Sequence, residues 1–191
     1  MPSSPKITKD MILETALHML IRDGYDSINI KNVAKEIGCS TQPISWHFGN
    51  MDGFRTALTE KAGQYVKGKL WVYGEKGSDD LEKWGINYLS IAMDEPNLFR
   101  FTCMGGSGRH EKSGMSSWLD YEQNVGILEQ LIQKYKITRE QAGQYVQTMF
   151  IYIHGMACMV ASGIVIEDRE KIHGMLRDTG NSILKQYKIV E

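Results

Sequence analysis

Apolar residues recur at spacings of three and four along most of the chain, and alternating apolar and polar runs are scarce. Such spacing places side chains on one face of an α-helix, whereas alternation would indicate β-strands. The first stripe begins after Thr8, a residue suited to capping a helix, and ends before Gly24, a helix stop signal. Its members are Ile12, Leu13, Ala16, Leu17, Met19 and Leu20. The pattern predicts an all-α fold of about nine helices.

Two short helices are predicted after this stripe, joined by a tight turn at residues 38–40. The second of them is predicted to start at Ser40, because the missing N–H of Pro43 does no harm in the first turn of a helix. Ile44 and Phe48 are four residues apart and therefore share one face. We expect that face to be turned toward the interior.

Two short helices with a tight turn are typical of a helix-turn-helix, in which the second helix enters the major groove of DNA. The residues left on its outer face are Thr41, Gln42, Ser45, Trp46 and His47. The amide of Gln42 can pair with adenine through two hydrogen bonds, and the hydroxyls of Thr41 and Ser45 can reach base edges or phosphates. The alternative interpretation is a structural three-helix packing unit with an ordinary polar face.

Residues 8–62 resemble the DNA-binding domain of the TetR/AcrR family of bacterial transcriptional regulators. The matching features, in chain order, are Gly24-Tyr25, Asn29, Val33-Ala34, Gly38-Cys39-Ser40, His47-Phe48 and Asn50. The resemblance implies an N-terminal three-helix helix-turn-helix DNA-binding domain at residues 6–67, with the helix-turn-helix itself at about 29–48. It also implies a helical effector-binding and dimerisation domain at residues 68–191.

The same resemblance implies a cytoplasmic, nucleoid-associated bacterial regulator, most often a repressor. It would bind a palindromic operator in double-stranded DNA as a homodimer, with its two reading helices roughly 34–36 Å apart. The residues expected to contact DNA are Lys9, Asn29, Lys31, Ser40, Thr41, Gln42, Ser45, Trp46, His47 and Asn50.

The chain departs from the usual family pattern at two positions of this domain. Ser45 stands where relatives usually have Tyr, and Met51 stands where they usually have Lys; both usual residues contact the phosphate backbone. The N-terminus of the fourth helix, which Asn50 is predicted to cap, still offers backbone N–H groups to a phosphate. The side chains that can take over the role of the usual Tyr and Lys are Lys9, Lys31, Trp46, His47 and Arg55.

Five further helices are predicted in the C-terminal two-thirds of the chain, one of them opened by a capping box of Thr138 and Gln141. Residues 141–166 carry no charged side chain and are numerous enough to span a bilayer. A helix buried in a bundle is the favoured alternative, because polar residues would otherwise lie at membrane depth and no second span exists. We therefore expect no association with a membrane.

In the family, the last two helices pair with those of a second subunit. The predicted last helix, at about 168–187, has a single apolar stripe on a polar background, which is typical of a helix that packs against a partner. The residues expected at the dimer interface are Gly155, Met159, Ile164, Ile172, Met175, Leu176, Thr179 and Ile183.

Family members commonly hold a small apolar or aromatic effector among their C-terminal helices. Eleven Met, four Trp and nine Tyr residues supply adaptable walls with a few polar groups. For each candidate the alternative is an ordinary core side chain, and His154 in particular is typical of a hydrogen-bonded core histidine. The candidate pocket residues are Trp84, Tyr88, Met93, Phe99, Met104, Trp118, Tyr121, Met149, Phe150, Ile153 and His154.

Two other functions remain open as alternatives. The first is the same DNA-binding dimer without a small-molecule effector, acting as an architectural or protein-controlled regulator. The second, less favoured, is a small helical enzyme. Residues 105–108 approach a nucleophile elbow, but Arg109 stands where that motif requires Gly. The five histidines show no metal-ligand spacing, so we expect neither a cofactor nor a metal.

Composition and charge exclude some classes of protein. The formal net charge of −1 gives by itself no evidence of a nucleic-acid binder. Three distant cysteines exclude a disulfide-stapled secreted scaffold and indicate a reducing compartment. The N-terminal residues lack the apolar core of a signal peptide.

Overall fold

The computed structural model describes residues 7–70, 80–105 and 122–187. These residues form nine α-helices and one short 3-10 helix, and no β-strand occurs among them. The α-helices are α1 (Lys9–Asp23), α2 (Ile30–Ile37), α3 (Gln42–Phe48), α4 (Met51–Leu70), α5 (Asp80–Asp94), α6 (Pro96–Cys103), α7 (Glu122–Tyr135), α8 (Arg139–Ala161) and α9 (Arg169–Tyr187). The predicted all-α fold is confirmed.

Two compact units can be distinguished within the described residues. The N-terminal unit contains residues 7–70 and 91–105, so that it includes α6 and the end of α5. The C-terminal unit contains residues 80–90 and 122–187. The functional boundary expected near residue 67 stays a prediction. Helix α6 lies beyond that boundary in the sequence, but its contacts place it in the N-terminal unit.

Helix α1 lies at the centre of the N-terminal unit, where it contacts α2, α3, α4 and α6. All six members of its predicted apolar stripe are buried. Phe54 and Leu58 of α4 and Phe99 of α6 are fully buried as well. Each such side chain contributes roughly 1.5–3 kcal/mol when it leaves water, so the α1 stripe organises this unit.

Asn97 of α6 holds the C-terminal end of α1. Its Nδ2 donates to the carbonyl oxygens of Ile21 and Arg22 at 3.1 and 3.2 Å. The last carbonyls of a helix have no partner within the helix, and this amide satisfies two of them. Arg22 also reaches α2, where its guanidinium lies 2.9 Å from Glu36. These contacts connect α1, α2 and α6.

Side-chain caps begin four helices, and those at Thr8, Asn50 and Thr138 are the ones that the sequence analysis predicted. Thr8, Asn29 and Asn50 each accept a hydrogen bond from the backbone N–H three residues later, at 3.2, 2.9 and 3.0 Å. Thr138 and Gln141 form the predicted capping box, with bonds of 3.1 and 2.9 Å. These starts are confirmed because a cap depends only on nearby residues.

Helix α3 begins one residue later than predicted. Its N-cap residue is Thr41 rather than Ser40, and Thr41 makes no side-chain capping bond. The first backbone hydrogen bond of the helix runs from the Ser45 N–H to the Thr41 carbonyl at 3.1 Å. Pro43 lies in the first turn, as expected.

The junction of α3 and α4 depends on glycine. Gly49, which follows α3, has a φ of 75°, a backbone conformation that residues with a side chain rarely adopt. Gly53 lies in the first turn of α4, and a Cβ atom at this position would overlap the carbonyl oxygen of Phe48. The end of α3 therefore packs directly against the backbone of α4.

Helix α8 contacts both α7 and α9 in the C-terminal unit. Helix α9 turns Ile172, Leu176, Gly180 and Leu184 toward the interior. A Cβ atom on Gly180 would lie 2.8 Å from the hydroxyl oxygen of Tyr145, so α8 and α9 approach closely there. Among the described residues, no helix combines the length and the apolar character needed to cross a bilayer.

We expect Gly53→Ala to lower the free energy of unfolding by about 1–3 kcal/mol, the usual cost of overpacking. The added Cβ must displace the Phe48 carbonyl and hence the end of α3. Urea denaturation followed by circular dichroism would measure the effect.

The matched control is Gly63→Ala on the same helix, where nothing lies within 4 Å of the added Cβ atom. This substitution should raise the free energy of unfolding by about 0.5–1 kcal/mol, because alanine favours helix more than glycine does. An equal change in the free energy of unfolding in the two variants would contradict the close approach of Gly53 to the Phe48 carbonyl.

Candidate nucleic-acid interface and sites in the C-terminal unit

The turn between α2 and α3 sets the direction of the predicted reading helix. Gly38 adopts the left-handed conformation, with φ 79° and ψ 33°. The Cys39 N–H donates to the Ala34 carbonyl at 2.9 Å, which satisfies one of the last carbonyls of α2 in the manner of a glycine C-cap. The predicted helix-turn-helix is thus present, with α3 as its second helix.

Helix α3 is anchored by one apolar face. Ile44 is fully buried, and the half-buried ring of Phe48 meets Phe54 edge-on at a centroid distance of 5.1 Å. Both residues were expected to face inward, and both do. A helix of seven residues is too short to be stable by itself, so these contacts hold it in place.

The opposite face of α3 is exposed. Thr41, Gln42 and Ser45 are exposed, and Trp46 has 74% of its surface exposed. Within the described part of the chain, no hydrogen bond is made by the side chains of Thr41, Gln42 or Ser45. The donors and acceptors suited to base edges are therefore all available on one surface.

His47 is placed differently from its expected position on the outer face. It is half-buried, and its Nε2 lies 3.1 Å from the carbonyl oxygen of Ile7. Since a carbonyl oxygen can only accept, Nε2 donates the proton in this bond. His47 thus ties the segment before α1 to the end of α3, and its Nε2–H is not available for a phosphate.

The remaining predicted DNA contacts lie at the surface around α3. Lys9, Asn29, Lys31, Ser40 and Asn50 are all exposed. The Nζ atom of Lys9 lies 5.7 Å from the centroid of the Phe48 ring, beside the reading helix. The side-chain oxygens of Asn29 and Asn50 serve as helix caps, so only their amide N–H groups are suited to a phosphate.

Arg55, one of the candidates to take over the role of the usual Tyr and Lys, belongs to the interior instead. Its guanidinium carbon lies 5.0 Å from the centroid of the Tyr25 ring, and that ring stacks on Phe101 at 4.8 Å. Cation–π stacking of this kind stabilises the packing of α4 against its neighbours. The side chain is consequently half-buried and is a poor candidate for DNA.

Four of the candidate effector-pocket residues form an aromatic cluster between α5 and α8. Trp84 stacks on Tyr88 at a centroid distance of 5.0 Å, and Phe150 stacks on His154 at 5.8 Å. The Tyr88 hydroxyl lies 2.8 Å from His154 Nδ1, and Cys158 Sγ lies 3.5 Å from His154 Nε2. Burial lowers the pKa of His154, so its imidazole is neutral at neutral pH.

Two other pocket candidates, Met149 and Ile153, line a separate cleft of about 560 Å³, a volume that includes its part open to solvent. Its other apolar walls include Leu131, Leu176 and Leu184. Its polar groups come from Glu82, Tyr135, Tyr145, Arg177 and Asn181. The cleft combines apolar walls with a few polar groups, as small-molecule sites do. Tyr145, Arg177 and Asn181 were not predicted for it, because their sequence context gives no signal.

Three of the other pocket candidates belong to the N-terminal unit. Phe99 is fully buried in the N-terminal unit, to which Met93 and Met104 also belong. Trp118 and Tyr121 lie outside the described residues. The predicted single pocket is therefore divided, within the C-terminal unit, into a packed aromatic cluster and an open cleft.

Exposed apolar side chains cluster on the C-terminal unit. Five of the eight exposed large apolar side chains of the described residues lie on α8, on α9 or between them. They are Ile151, Met159, Ile164, Ile166 and Met175. Three of these, together with the exposed Gly155 and the half-buried Thr179 and Ile183, were predicted interface residues.

Two predicted interface residues need correction. Ile172 and Leu176 are only 1% and 2% exposed, because they lie on the face of α9 that packs inside the unit. They contribute to the core of this chain rather than to its surface. Among the described residues, no group of three or more potential metal ligands occurs.

Residues 12–58 match the family model described as bacterial regulatory proteins, tetR family. No curated protein sequence gives a significant match to this chain. The matched family is one of regulatory proteins.

Three solved structures are similar over almost the whole chain. A TetR variant from Acinetobacter baumannii AYE, in complex with minocycline, is 16% identical with a TM-score of 0.58, covering 96% of this chain and 97% of that one. TetR from the same organism is 14% identical with a TM-score of 0.61, over 96% and 97%. A transcriptional regulator from Rhodococcus sp. Rha1 is 13% identical with a TM-score of 0.63, over 97% and 100%.

At these identities the structures show a common fold, and the family model covers the helix-turn-helix itself. Residues 12–58 thus form a DNA-binding domain similar to that of the tetR family of bacterial regulatory proteins, and the chain is a DNA-binding transcriptional regulator.

Proposed function

We propose that the chain is a repressor that binds a palindromic operator as a homodimer, with α3 in the major groove, and that a small molecule bound in the C-terminal unit releases it. The observation that carries the DNA-binding part is the outer face of α3. There, Thr41, Gln42 and Ser45 are exposed and Trp46 projects into solvent, while Ile44 anchors the helix from behind. Footprinting on DNA upstream of the gene would test it and would reveal the palindrome.

Lysines support the backbone contacts of this proposal. Lys31 is exposed in the first turn of α2, and Lys9 lies beside α3. These two lysines can hold the phosphates that Ser45 and Met51, in place of the usual Tyr and Lys, cannot reach. The exposed indole of Trp46 can pack against sugars at the edge of the groove.

The exposed apolar face of α8 and α9 supports a homodimer. Isolated exposed apolar residues are common, but a cluster on one face is typical of an interaction surface. In a two-fold dimer this face would meet its own copy. Ile151, Gly155, Met159 and Met175 form its centre in this proposal.

The cleft lined by α5, α7, α8 and α9 is the proposed effector site. Its apolar walls suit an apolar or aromatic molecule, and Arg177 and Asn181 supply polar contacts at its edge. The complex of a structurally similar TetR variant with minocycline supports a small-molecule effector. A ligand that binds preferentially to a dimer whose reading helices do not fit the operator lowers the affinity for that operator by about 5–150-fold.

The alternative is a regulator with the same dimer and no small-molecule effector. A thermal-shift screen of small apolar and aromatic compounds separates the two, because only an effector raises the melting temperature with concentration. We propose no enzymatic activity. Because its target is chromosomal DNA, we place the protein in the cytoplasm, at the nucleoid.

We expect Gln42→Ala to relax base preference at one operator position, with a decrease of about 1–3 kcal/mol in discrimination. Fluorescence anisotropy with single-base variants of the footprinted operator measures this. The control is Gln64→Ala, an exposed glutamine of α4, which should leave discrimination unchanged. Full discrimination in the Gln42 variant would exclude the proposed base contact.

Lys31→Ala should weaken binding to all DNA sequences alike. Removal of one phosphate contact lowers the slope of log affinity against log salt concentration by about 1. Titrations at several salt concentrations would show it, with Lys83→Ala in α5 as a control of the same charge change. A Lys31 variant with an unaltered slope would contradict the phosphate contact.

Met159→Asp should convert the dimer to monomer, because it places a charge at the centre of the uncharged face. Operator affinity should fall with it, since two half-sites are no longer bound together. Analytical ultracentrifugation measures the mass. Met104→Asp is the matched control: Met104 is 40% exposed and Met159 42%, but Met104 lies in the N-terminal unit. A dimeric Met159 variant would argue against this interface.

A further inference from the structure

His154 and Cys158 lie one helical turn apart on α8 with their reactive atoms close together. The distance from His154 Nε2 to Cys158 Sγ is 3.5 Å. Zinc binds thiolate sulfur at about 2.3 Å and imidazole nitrogen at about 2.0–2.1 Å in tetrahedral sites, which places two such ligands about 3.5 Å apart. The pair therefore already has the spacing of two neighbouring zinc ligands.

Tyr88 holds the imidazole in this orientation. Its hydroxyl lies 2.8 Å from His154 Nδ1, which leaves Nε2 directed at the sulfur of Cys158. A metal-binding histidine is almost always fixed in this way, by a hydrogen bond at its second nitrogen. Stacking on Phe150 at 5.8 Å further restrains the ring.

The described residues of a single chain do not complete such a site. Among the described residues, no third potential ligand joins the pair, and a structural zinc site has four. On α8, however, Gly155 lies between the two ligands and Ile151 lies one turn before, and both are exposed. The pair therefore adjoins the uncharged face of α8 through which we propose that the chain dimerises.

We propose that two copies of this chain bind one zinc ion at their interface, with His154 Nε2 and Cys158 Sγ of each copy as its four ligands. A two-fold axis along this face presents the same pair twice and supplies a Cys2His2 set. Thiolate and imidazole ligands select zinc over hard cations such as magnesium and calcium. Each thiol releases its proton to solvent as its sulfur binds the metal.

This inference rests on the homodimer of the proposed function and adds to it a metal that stabilises the dimer. Binding to the dimer alone shifts the monomer–dimer equilibrium by mass action. The dimer should consequently persist to lower protein concentration in the presence of zinc than after treatment with a chelator.

The test is a zinc titration of the reduced full-length chain in competition with a chromophoric chelator. We expect one zinc ion per two chains. Cys158→Ser and His154→Gln should each lower zinc affinity by more than about 100-fold, beyond the 10–100-fold typical of losing an outer-shell partner. The matched control is Cys39→Ser, because Cys39 is a similarly half-buried thiol in the N-terminal unit. This variant should bind zinc with unchanged affinity.

Tyr88→Phe separates positioning from ligation. Removal of its hydroxyl should weaken zinc binding by about 10–100-fold while the helical content stays unchanged. Cobalt(II) as a coloured substitute should still show thiolate-to-metal absorption in this variant and should lose it in Cys158→Ser. A packing role alone would leave the zinc affinity of the Tyr88 variant unaltered.

The outcomes distinguish this inference from the proposed dimer. A dimeric protein that binds no zinc, binds one ion per chain, or binds zinc equally well as Cys158→Ser would overturn the metal site and leave the dimer intact. A protein that is monomeric at every concentration, with and without zinc, would overturn both. Met159→Asp, as a monomer, should also lose zinc.

Discussion

The burial of Ile44, with Phe48 packed against Phe54, is the constraint on which the DNA-binding surface depends. Helix α3 has two turns, too few for stability in isolation, so its orientation is set by the face it buries. Once Ile44 is inside, the rotation of about 100° per residue leaves Gln42 and Trp46 outside. Gly53 completes the arrangement, because its missing side chain lets α4 close against the Phe48 carbonyl.

The departures of this chain from the usual family pattern have a structural counterpart. Ser45 is exposed and has a short side chain. Nε2 of the nearby His47 is hydrogen-bonded to the Ile7 carbonyl. Arg55 is engaged with Tyr25 in the interior. The phosphate contacts of this regulator are thus expected from lysines at the edges of α1 and α2 rather than from the end of α3.

The lack of charge over residues 141–161 of α8 has an explanation in their surroundings. One face of the helix is buried through Met149 and Ile153, and another carries the cluster of Phe150 and His154. A third face, with Ile151 and Gly155, is exposed and uncharged. A helix that buries two faces, and in our proposal a third, has few positions at which a charge would be solvated. The uncharged stretch of its sequence agrees with this packing.

Local signals in the sequence were enough for the helices and their caps. The hydrogen bonds of Thr8, Asn29 and Thr138 each span three residues, and the buried stripe of α1 follows from helical periodicity. The position of α3 as the second helix of the helix-turn-helix was equally accessible, because the Gly38 turn and the anchoring pair at Ile44 and Phe48 all lie within eleven residues of sequence. Such features depend on neighbours along the chain.

Only the tertiary structure decided which face of each helix meets which neighbour. It placed α6 in the N-terminal unit through Asn97, turned Leu176 inward and Met175 outward, and divided the expected pocket into a cluster and a cleft. It also brought Tyr88 to His154, 66 residues away along the chain. These arrangements depend on contacts between segments that are distant in the sequence. A local pattern of residues does not determine the free energies of such contacts.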